Sequence, residues 1–138
     1  SDVLIKKLDI AKAKWKVIHS DQNAIKAIDE DPSSFWQSNN QELTIDLGEV
    51  IHIKGFTYLP PQNRFMRGVI SKYSFQSSMD GKTWTERATG EFPNIHNNPI
   101  EQRVRMEDVQ ARYVKLKSLG TTDNQAASFA EIGVITKD

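Results

Sequence analysis

Apolar and polar residues alternate along much of this chain, and the alternation leaves little choice of secondary structure. In segment 42–47, Leu43, Ile45 and Leu47 occupy every second position between polar residues. A period of two places such side chains on one face of a β-strand, whereas a helix would spread them around its axis. Further strand-like segments cover residues 50–58, 72–77, 102–106, 111–117 and 129–135.

The residues between these segments favour turns rather than helices. Ser20 is predicted to cap one short helical turn over residues 24–28. Asp80 and Gly81 predict a tight hairpin, because a type I′ turn needs positive φ at both central positions. Strands separated by turns over the whole length predict an all-β fold, an antiparallel β-sandwich or barrel. The residues expected in its core are Leu43, Ile45, Leu47, Phe56, Tyr73, Phe75, Val114, Leu116, Ile132 and Val134.

Length, charge and cysteine content narrow the possible functions. The 138 residues fit one domain, residues 1–138. The chain has 18 Lys and Arg residues and 18 Asp and Glu residues, so no excess charge favours nucleic acid or an anionic membrane. The absence of cysteine excludes disulfides and thiolate metal sites. No apolar run approaches the roughly 20 residues that span a bilayer.

The sequence contains no arrangement of residues that is typical of an active site. His19, His52 and His96 are far apart and lack the spacing of metal ligands. No nucleophile motif, phosphate-binding loop or dinucleotide-binding turn is present. Asp29 and Asp31 lie close together in one turn, which suits a cation better than a pair of glycosidase carboxylates. We therefore predict that the domain is not an enzyme.

An acidic turn offers oxygen atoms of the kind that calcium prefers. Asp29 and Asp31 supply carboxylates, and Ser34 supplies a hydroxyl group. Calcium takes about six to eight such oxygen ligands. The spacing alone is also explained by a solvated acidic turn in front of Pro32, so both interpretations stay open at this level.

Several segments together resemble one known family. Residues 27–36, AIDEDPSSFW, are similar to the family stretch A-x-D-G-D-x-x-T/S-x-W, and TIDLG at 44–48 follows at the expected distance. Four more segments agree in order, namely ISKYSF at 70–75, SMDGKTW at 78–84, ARYVKL at 111–116 and FAEIGV at 129–134. By these motifs the chain resembles the F5/8 type C (discoidin) domains, close to bacterial family 32 carbohydrate-binding modules. The resemblance implies a galactose-binding-like jelly-roll β-sandwich of about eight antiparallel strands.

The resemblance also implies a structural Ca²⁺ ion. Its ligands would be the side chains of Asp29, Ser34 and Glu131 and main-chain carbonyl groups near Ala27, Asp31 and Ala130. Glu30 stands where the family usually has Gly. If that position requires a positive φ, Glu30 adds strain to the loop.

The sugar-binding positions of the family are not kept in this chain. Galactose-binding members often carry His, an aromatic residue, Arg and a second aromatic residue where this chain has Gln37, Asn40, Pro61 and Ala126. Without the stacking rings and the guanidinium group we expect no preference for galactose. The polar residues predicted to bind a ligand instead are Asp21, Gln37, Asn40, Asn63 and Arg64. Each of them, taken singly, is also explained as a solvated loop residue.

Three tryptophans are predicted to be core residues rather than platforms for a sugar ring. Trp15 is expected to pack at the first strand. Trp36, after the acidic turn, and Trp84, after the hairpin, resemble core positions of the family.

These features predict a non-catalytic carbohydrate-binding module with a structural calcium ion. The resemblance implies a glycan of unknown identity as the ligand and a catalytic domain in the same polypeptide, such as a secreted bacterial glycoside hydrolase. It implies an extracytoplasmic location, whether periplasmic, cell-surface or secreted, and we expect a monomer. The alternative is a structural or protein-interaction domain that has lost the sugar site. Phe65 and Met66, flanked by Arg64 and Arg67, would then contact a protein or a membrane surface.

Overall fold

The computed structural model describes residues 12, 14–62, 67–93, 95 and 99–136. The strands in these ranges are β1 (Lys16–Val17), β2 (Trp36–Gln37), β3 (Glu42–Leu59), β4 (Ile70–Ser78), β5 (Thr85–Glu91), β6 (Gln102–Thr121), β7 (Ser128–Phe129) and β8 (Glu131–Ile135). A short 3₁₀ helix covers Gln22–Ala27. Within the described ranges, no helix has the length and apolar character needed to cross a membrane.

The strands form an antiparallel β-sandwich, as the sequence predicts. The larger sheet has the strand order β1-β3-β6-β4-β5, with β8 also paired to β3, and β2 pairs with β7 separately. The registers of β3 and β6 are irregular between Asp46 and Ile51 and again between Ile53 and Gly55. Such bulges bend strands and let them turn the corner between packed sheets. Strands β3 and β6 stay paired with each other on both sides of these irregularities.

The prediction that divided each of these long strands was wrong. The sequence indicates a break at Gly48 and Glu49, but β3 continues through both residues. Strand β6 likewise joins the predicted segments 102–106 and 111–117 into one element. The apolar periodicity lapses in β3 because residues 48–50 at the bulge are exposed.

The core confirms the predicted buried face. All ten residues expected there are at most 7% exposed. Aromatic rings dominate its centre, where Phe56 stacks on Phe75 with ring centroids 4.4 Å apart. Tyr73 stacks on Phe92 with a centroid separation of 4.5 Å. Burial of these large apolar surfaces is the main source of stability.

A buried tyrosine joins three strands through its hydroxyl group. Tyr58 in β3 donates a hydrogen bond to the Ser128 carbonyl in β7 at 2.7 Å. The same hydroxyl accepts the N–H of Ile70 in β4 at 3.1 Å. Complete burial raises the pKa of Tyr58 far above its ordinary value, so the hydroxyl stays protonated and can donate.

The prediction for the tryptophans was correct for two of the three. Trp15 and Trp36 are each only 6% exposed and belong to the core. Trp84 is half-buried instead, and the Lys115 ammonium lies 4.2 Å from the centroid of its ring. Lys115 alternates in β6 with core residues Val114 and Leu116, so Trp84 packs on the outer face of the sheet.

Two local predictions need correction. The residue that caps the 3₁₀ helix is Asp21 rather than Ser20, since its side chain accepts the N–H of Asn23 at 2.9 Å. The turn after β4 is longer than a type I′ hairpin, and Asp80 does not have the positive φ that Gly81 has. Asp80 accepts the N–H groups of Lys82 and Thr83 instead. These hydrogen bonds lower the pKa of Asp80 to about 2.

Candidate functional site

Three connecting segments meet at one end of the sandwich, and we call them the loop cluster: residues 37–41, 67–69 and 123–128. Pairing of β2 with β7 brings the first and third segments together, with Gln37 opposite Ser128. The Ser38 N–H donates to the Ala127 carbonyl at 2.7 Å. The Gln37 side chain donates to the Ala126 carbonyl at 2.9 Å. Backbone hydrogen bonds therefore hold the two segments in a defined arrangement.

Gln41 fastens the loop cluster to the sheet and was not identified from the sequence. Its backbone adopts a left-handed conformation, with φ 62°. Its side-chain oxygen accepts the Ala127 N–H at 2.9 Å, and its carbonyl accepts the Ser118 N–H at 2.7 Å. A non-Gly residue with positive φ is uncommon and persists where surrounding contacts require it.

Gly68 joins the second segment to the third. Its carbonyl accepts the Ser128 N–H at 2.8 Å, and its N–H donates to the Asp123 carboxylate at 3.2 Å. Its φ is +70°, and a Cβ atom at this position would lie 1.9 Å from the Ala126 carbonyl oxygen. Only glycine fits this close contact between backbones.

Exposed polar side chains cover the loop cluster. Gln37 and Asn40, two of the predicted ligand-binding residues, are both exposed there. Asn39, which the sequence also places in this polar loop, is exposed beside them, as is Arg67, which the sequence assigns to the alternative contact surface. The cluster adds three exposed polar residues that the sequence prediction missed, namely Asp123, Asn124 and Gln125. The polar, turn-rich composition of segment 120–126 was the available signal. Amide, carboxylate and guanidinium groups of this kind form hydrogen bonds with sugar hydroxyl groups.

The other predicted ligand-binding residues are placed differently. Asp21 is exposed, and its carboxylate accepts the indole N–H of Trp36 at 2.9 Å next to β2. This hydrogen bond and the one from the Asn23 backbone lower the pKa of Asp21. Asn63 and Arg64 lie outside the described residues, so their part in the site stays a prediction.

His19 lies beside Trp36 and Asp21, and the hydrogen bond that it accepts requires the neutral form of its ring. Its ring centroid is 4.7 Å from that of Trp36, and its Nε2 atom accepts the Thr44 N–H at 2.9 Å. Burial lowers the pKa of His19, Lys115 lowers it further, and Glu42 and Asp21 oppose the shift. A protonated ring would lose the hydrogen bond from Thr44.

We expect His19 to make stability depend on pH. Because the folded state binds the proton less readily than the unfolded chain, the contribution is present above the unfolded pKa of 6.5 and is lost as pH falls below it. Urea unfolding of the wild type and of His19→Gln at several pH values measures this. The stability advantage of the wild type should shrink between about pH 7.5 and about pH 5.5. A pH profile of His19→Gln that runs parallel to that of the wild type would contradict the assignment.

The residues predicted to hold calcium lie in a second region. Asp29 accepts the backbone N–H of Asp31 at 2.9 Å and the Ser34 hydroxyl at 2.5 Å. The Asp31 carboxylate contacts Ser33 instead. It accepts hydrogen bonds from the Ser33 N–H at 2.9 Å and from the Ser33 hydroxyl at 2.6 Å. Glu30 has φ 61°, so the position does require the left-handed conformation that the family meets with Gly.

Glu131 reaches this turn from the start of β8. One of its carboxylate oxygens accepts the Glu30 N–H at 2.9 Å, and the other accepts a hydrogen bond from the Lys12 ammonium. Burial raises the pKa of Glu131 to about 7, while Lys12 and the Glu30 N–H oppose the rise. The charged form of this carboxylate therefore needs a nearby cation.

The predicted calcium site has donor atoms of the right type, but it already contains a positive charge. Carboxylate, hydroxyl and carbonyl oxygens are the ligands that calcium prefers. However, the Lys12 ammonium already contacts the Glu131 carboxylate. Among the described residues, no group of three or more Asp, Glu, His or Cys side chains converges to hold a metal ion. Ala27 and Ala130, whose carbonyl groups were included in the predicted set, are fully buried.

The family of the chain follows from comparison with known domains. The F5/8 type C domain model matches residues 11–132. The chain therefore belongs to the F5/8 type C family, which confirms the resemblance found in its motifs.

Solved structures of carbohydrate-binding modules have the same fold. CBM32-3 from a family 31 glycoside hydrolase of Clostridium perfringens is 27% identical, with a TM-score of 0.77, over 91% of this chain and 93% of that chain. CpGH89CBM32-5 from Clostridium perfringens, in complex with GalNAc-β-1,3-galactose, is 24% identical, with a TM-score of 0.77, over 90% and 96%. The CBM32 of AlyQ, in complex with 4,5-unsaturated mannuronic acid, is 18% identical, with a TM-score of 0.74, over 92% and 97%.

These similarities define the class of the domain. It has the fold of the family 32 carbohydrate-binding modules, and such modules occur on glycoside hydrolases. The relatives are binding modules rather than catalytic domains, in agreement with the prediction that this domain is not an enzyme.

Proposed function

We propose that the domain binds a glycan through the loop cluster and thereby holds a glycoside hydrolase close to its substrate. The observation that carries the proposal is the set of exposed polar side chains on loops that backbone hydrogen bonds hold in place. A rigid arrangement of this kind binds a ligand without first losing conformational freedom. The module would act by raising the effective concentration of the catalytic domain at the polysaccharide or glycoprotein.

The chemistry of the loop cluster favours weak, polar recognition. Asn40 and the half-buried Ala126 replace the aromatic residues that would stack on a sugar ring, and buried Pro61 replaces an arginine. With few contacts to a single sugar, we expect a Kd on the order of millimolar, or roughly 4 kcal/mol of binding free energy. Terminal galactose is not the expected preferred ligand, although one of the structural relatives was solved in complex with galactose.

The proposal includes an extracytoplasmic location and a bacterial, secreted parent enzyme, because a module of this class works where polymeric glycans are found. The monomeric state also stays a prediction. The calcium ion predicted from the sequence is not required for glycan binding as proposed. Its ligands would be Asp29, Ser34 and Glu131, which lie in the second region described above.

Substitution of the exposed amides tests the proposed site. Asn40 makes no side-chain hydrogen bond within the described part of the chain, so Asn40→Ala should leave the melting temperature within about 1–2 °C of the wild type. We expect the double variant Gln37→Ala and Asn40→Ala to weaken glycan binding at least about tenfold, because two hydrogen-bonding groups are lost. A glycan array would first identify the sugar, and isothermal titration calorimetry would then compare the variants.

Gln110→Ala is the matched control, since Gln110 is an exposed amide on β6 opposite His52. It should bind the sugar as the wild type does. Unchanged binding by the double variant would place the site elsewhere. The absence of any glycan ligand on the array would favour the alternative of a structural or protein-interaction domain, whose expected contact residues Phe65 and Met66 lie outside the described ranges.

A further inference from the structure

Several contacts hold the Lys12 side chain next to Glu131. Its ammonium group donates to the Glu131 carboxylate and, at 2.8 Å, to the Ile132 carbonyl. The side chains of Lys12 and Glu131 are only 14% and 15% exposed. The ammonium also lies 5.4 Å from the centroid of the Trp15 ring, which is itself buried. A carboxylate, a carbonyl and an aromatic face therefore surround this one positive charge.

We propose that Lys12 replaces calcium as the cation that neutralises Glu131, so that this domain folds and is stable without a metal ion. The proposal concerns stability and stands independently of the proposed glycan binding. It accounts for the burial of the Lys12 ammonium against Glu131. The Lys14 ammonium, by comparison, pairs with Glu49 at 3.2 Å with both side chains more than half exposed.

The argument rests on charge around a single carboxylate. Glu131 is mostly buried and must be neutralised, because an isolated buried charge is costly. Its two oxygens are occupied by Lys12 and by the Glu30 N–H. A calcium ion on the same carboxylate would stand close to the ammonium, and the repulsion between a dication and a cation in a partly desolvated site would weaken its binding.

The turn that would hold the metal is also satisfied by its own hydrogen bonds. Both oxygens of the Asp29 carboxylate accept hydrogen bonds, from the Asp31 N–H and from the Ser34 hydroxyl. The strained Glu30 backbone is supported by its hydrogen bond to Glu131, so the same carboxylate that binds Lys12 also fixes the turn. Lys12, Glu131 and the turn thus form one connected unit without a metal.

The test compares melting temperatures in calcium and in chelator. For metal-stripped wild type, we expect the values in about 5 mM CaCl₂ and in about 5 mM EGTA to agree within about 1 °C. Lys12→Met keeps the length of the side chain and removes its charge, and it should lower the melting temperature in EGTA by about 5–10 °C. Calcium should recover part of that loss, since removal of the ammonium opens the carboxylates to a metal ion.

Two further variants complete the experiment. Lys12→Arg keeps the charge and should stay calcium-independent, which distinguishes a charge effect from a packing effect. Lys14→Met, at the exposed ion pair, should change the melting temperature by less than about 2 °C in either solution. Calorimetric titration of the wild type with CaCl₂ should show at least about tenfold weaker binding than titration of Lys12→Met.

Three results would overturn the proposal. The first is a wild type that melts several degrees higher in calcium than in EGTA and loses this difference in Asp29→Ala. The second is a Lys12→Met variant as stable in EGTA as the wild type. The third is a destabilised Lys12→Met variant that calcium does not stabilise, because lysine and metal would then not compete for one site. If Lys12→Met does not fold, the wild type alone decides, because equal melting temperatures in calcium and in EGTA support the proposal and a clear rise in calcium contradicts it.

Discussion

Gly68→Ala should lower the free energy of unfolding by about 3 kcal/mol, and the melting temperature by about 10 °C. The added methyl group would lie 1.9 Å from the Ala126 carbonyl oxygen and 2.8 Å from the Ser128 hydroxyl oxygen. It would also be held at a φ of +70°, which L side chains rarely adopt. Since the nearest atom, the Ala126 carbonyl oxygen, belongs to the backbone, the clash is relieved only by moving segment 126–128 away. Urea unfolding followed by tryptophan fluorescence measures the effect.

The same substitution should disturb the proposed binding surface. Movement at Ala126 breaks the contact with the Gln37 side chain, so glycan binding should weaken even at temperatures where the domain stays folded. Gly120→Ala is the matched control, because the nearest atoms to its added methyl group lie 3.8 Å away and its φ is not positive. That control should stay within about 0.5 kcal/mol of the wild type. Equal stability of the two variants would show that the loop cluster is not packed as described.

Tyr58→Phe should cost about 2–4 kcal/mol of stability with no change in core volume. The substitution removes one hydroxyl that donates to the Ser128 carbonyl and accepts the Ile70 N–H. Both groups are backbone atoms of buried residues, so they lose a hydrogen-bond partner where water does not easily replace it. Denaturant unfolding curves with unchanged slope would report the loss as a lower midpoint.

Tyr113→Phe provides the comparison for this prediction. Within the described part of the chain the Tyr113 hydroxyl makes no hydrogen bond, and the residue is half-buried. We expect its removal to change stability by less than about 0.5 kcal/mol. If Tyr58→Phe were equally mild, the hydroxyl would not link β3, β4 and β7, and the Ser128 carbonyl would have another partner.

The core was predictable because burial in a strand depends on local alternation. Leu43, Ile45 and Leu47 could be assigned to one face from their spacing alone, and all three are fully buried. The position of Trp84 was not predictable in this way. Its environment depends on Lys115, which β6 brings under the ring from a distant part of the chain. A tryptophan favours a core position, but the strand register places the Trp84 ring on the outer face of the sheet.

The candidate site was harder to predict from local sequence patterns than the core was. Gln37 and Asn40 stood out because the family resemblance implies ligand-binding residues there, and both are exposed in the loop cluster. Gln41 carries no such signal, since its role is a hydrogen bond to Ala127, which lies 86 positions further along the chain. The contact between Lys12 and Glu131 spans 119 positions and was likewise invisible in the sequence. Local patterns do not encode which distant backbone groups a side chain will meet.

In the loop cluster, the residues that hold the backbone in place differ from those that face the solvent. Gln41 and Gly68 are among the residues that make its internal hydrogen bonds, whereas the side chains of Asn39, Asn40 and Gln125 make none within the described ranges and are exposed. Substitution at the exposed positions therefore leaves the frame intact. A change of preferred glycan needs only a few such substitutions and little change in folding stability. The same three positions are the natural ones to randomise when a new sugar specificity is selected in the laboratory.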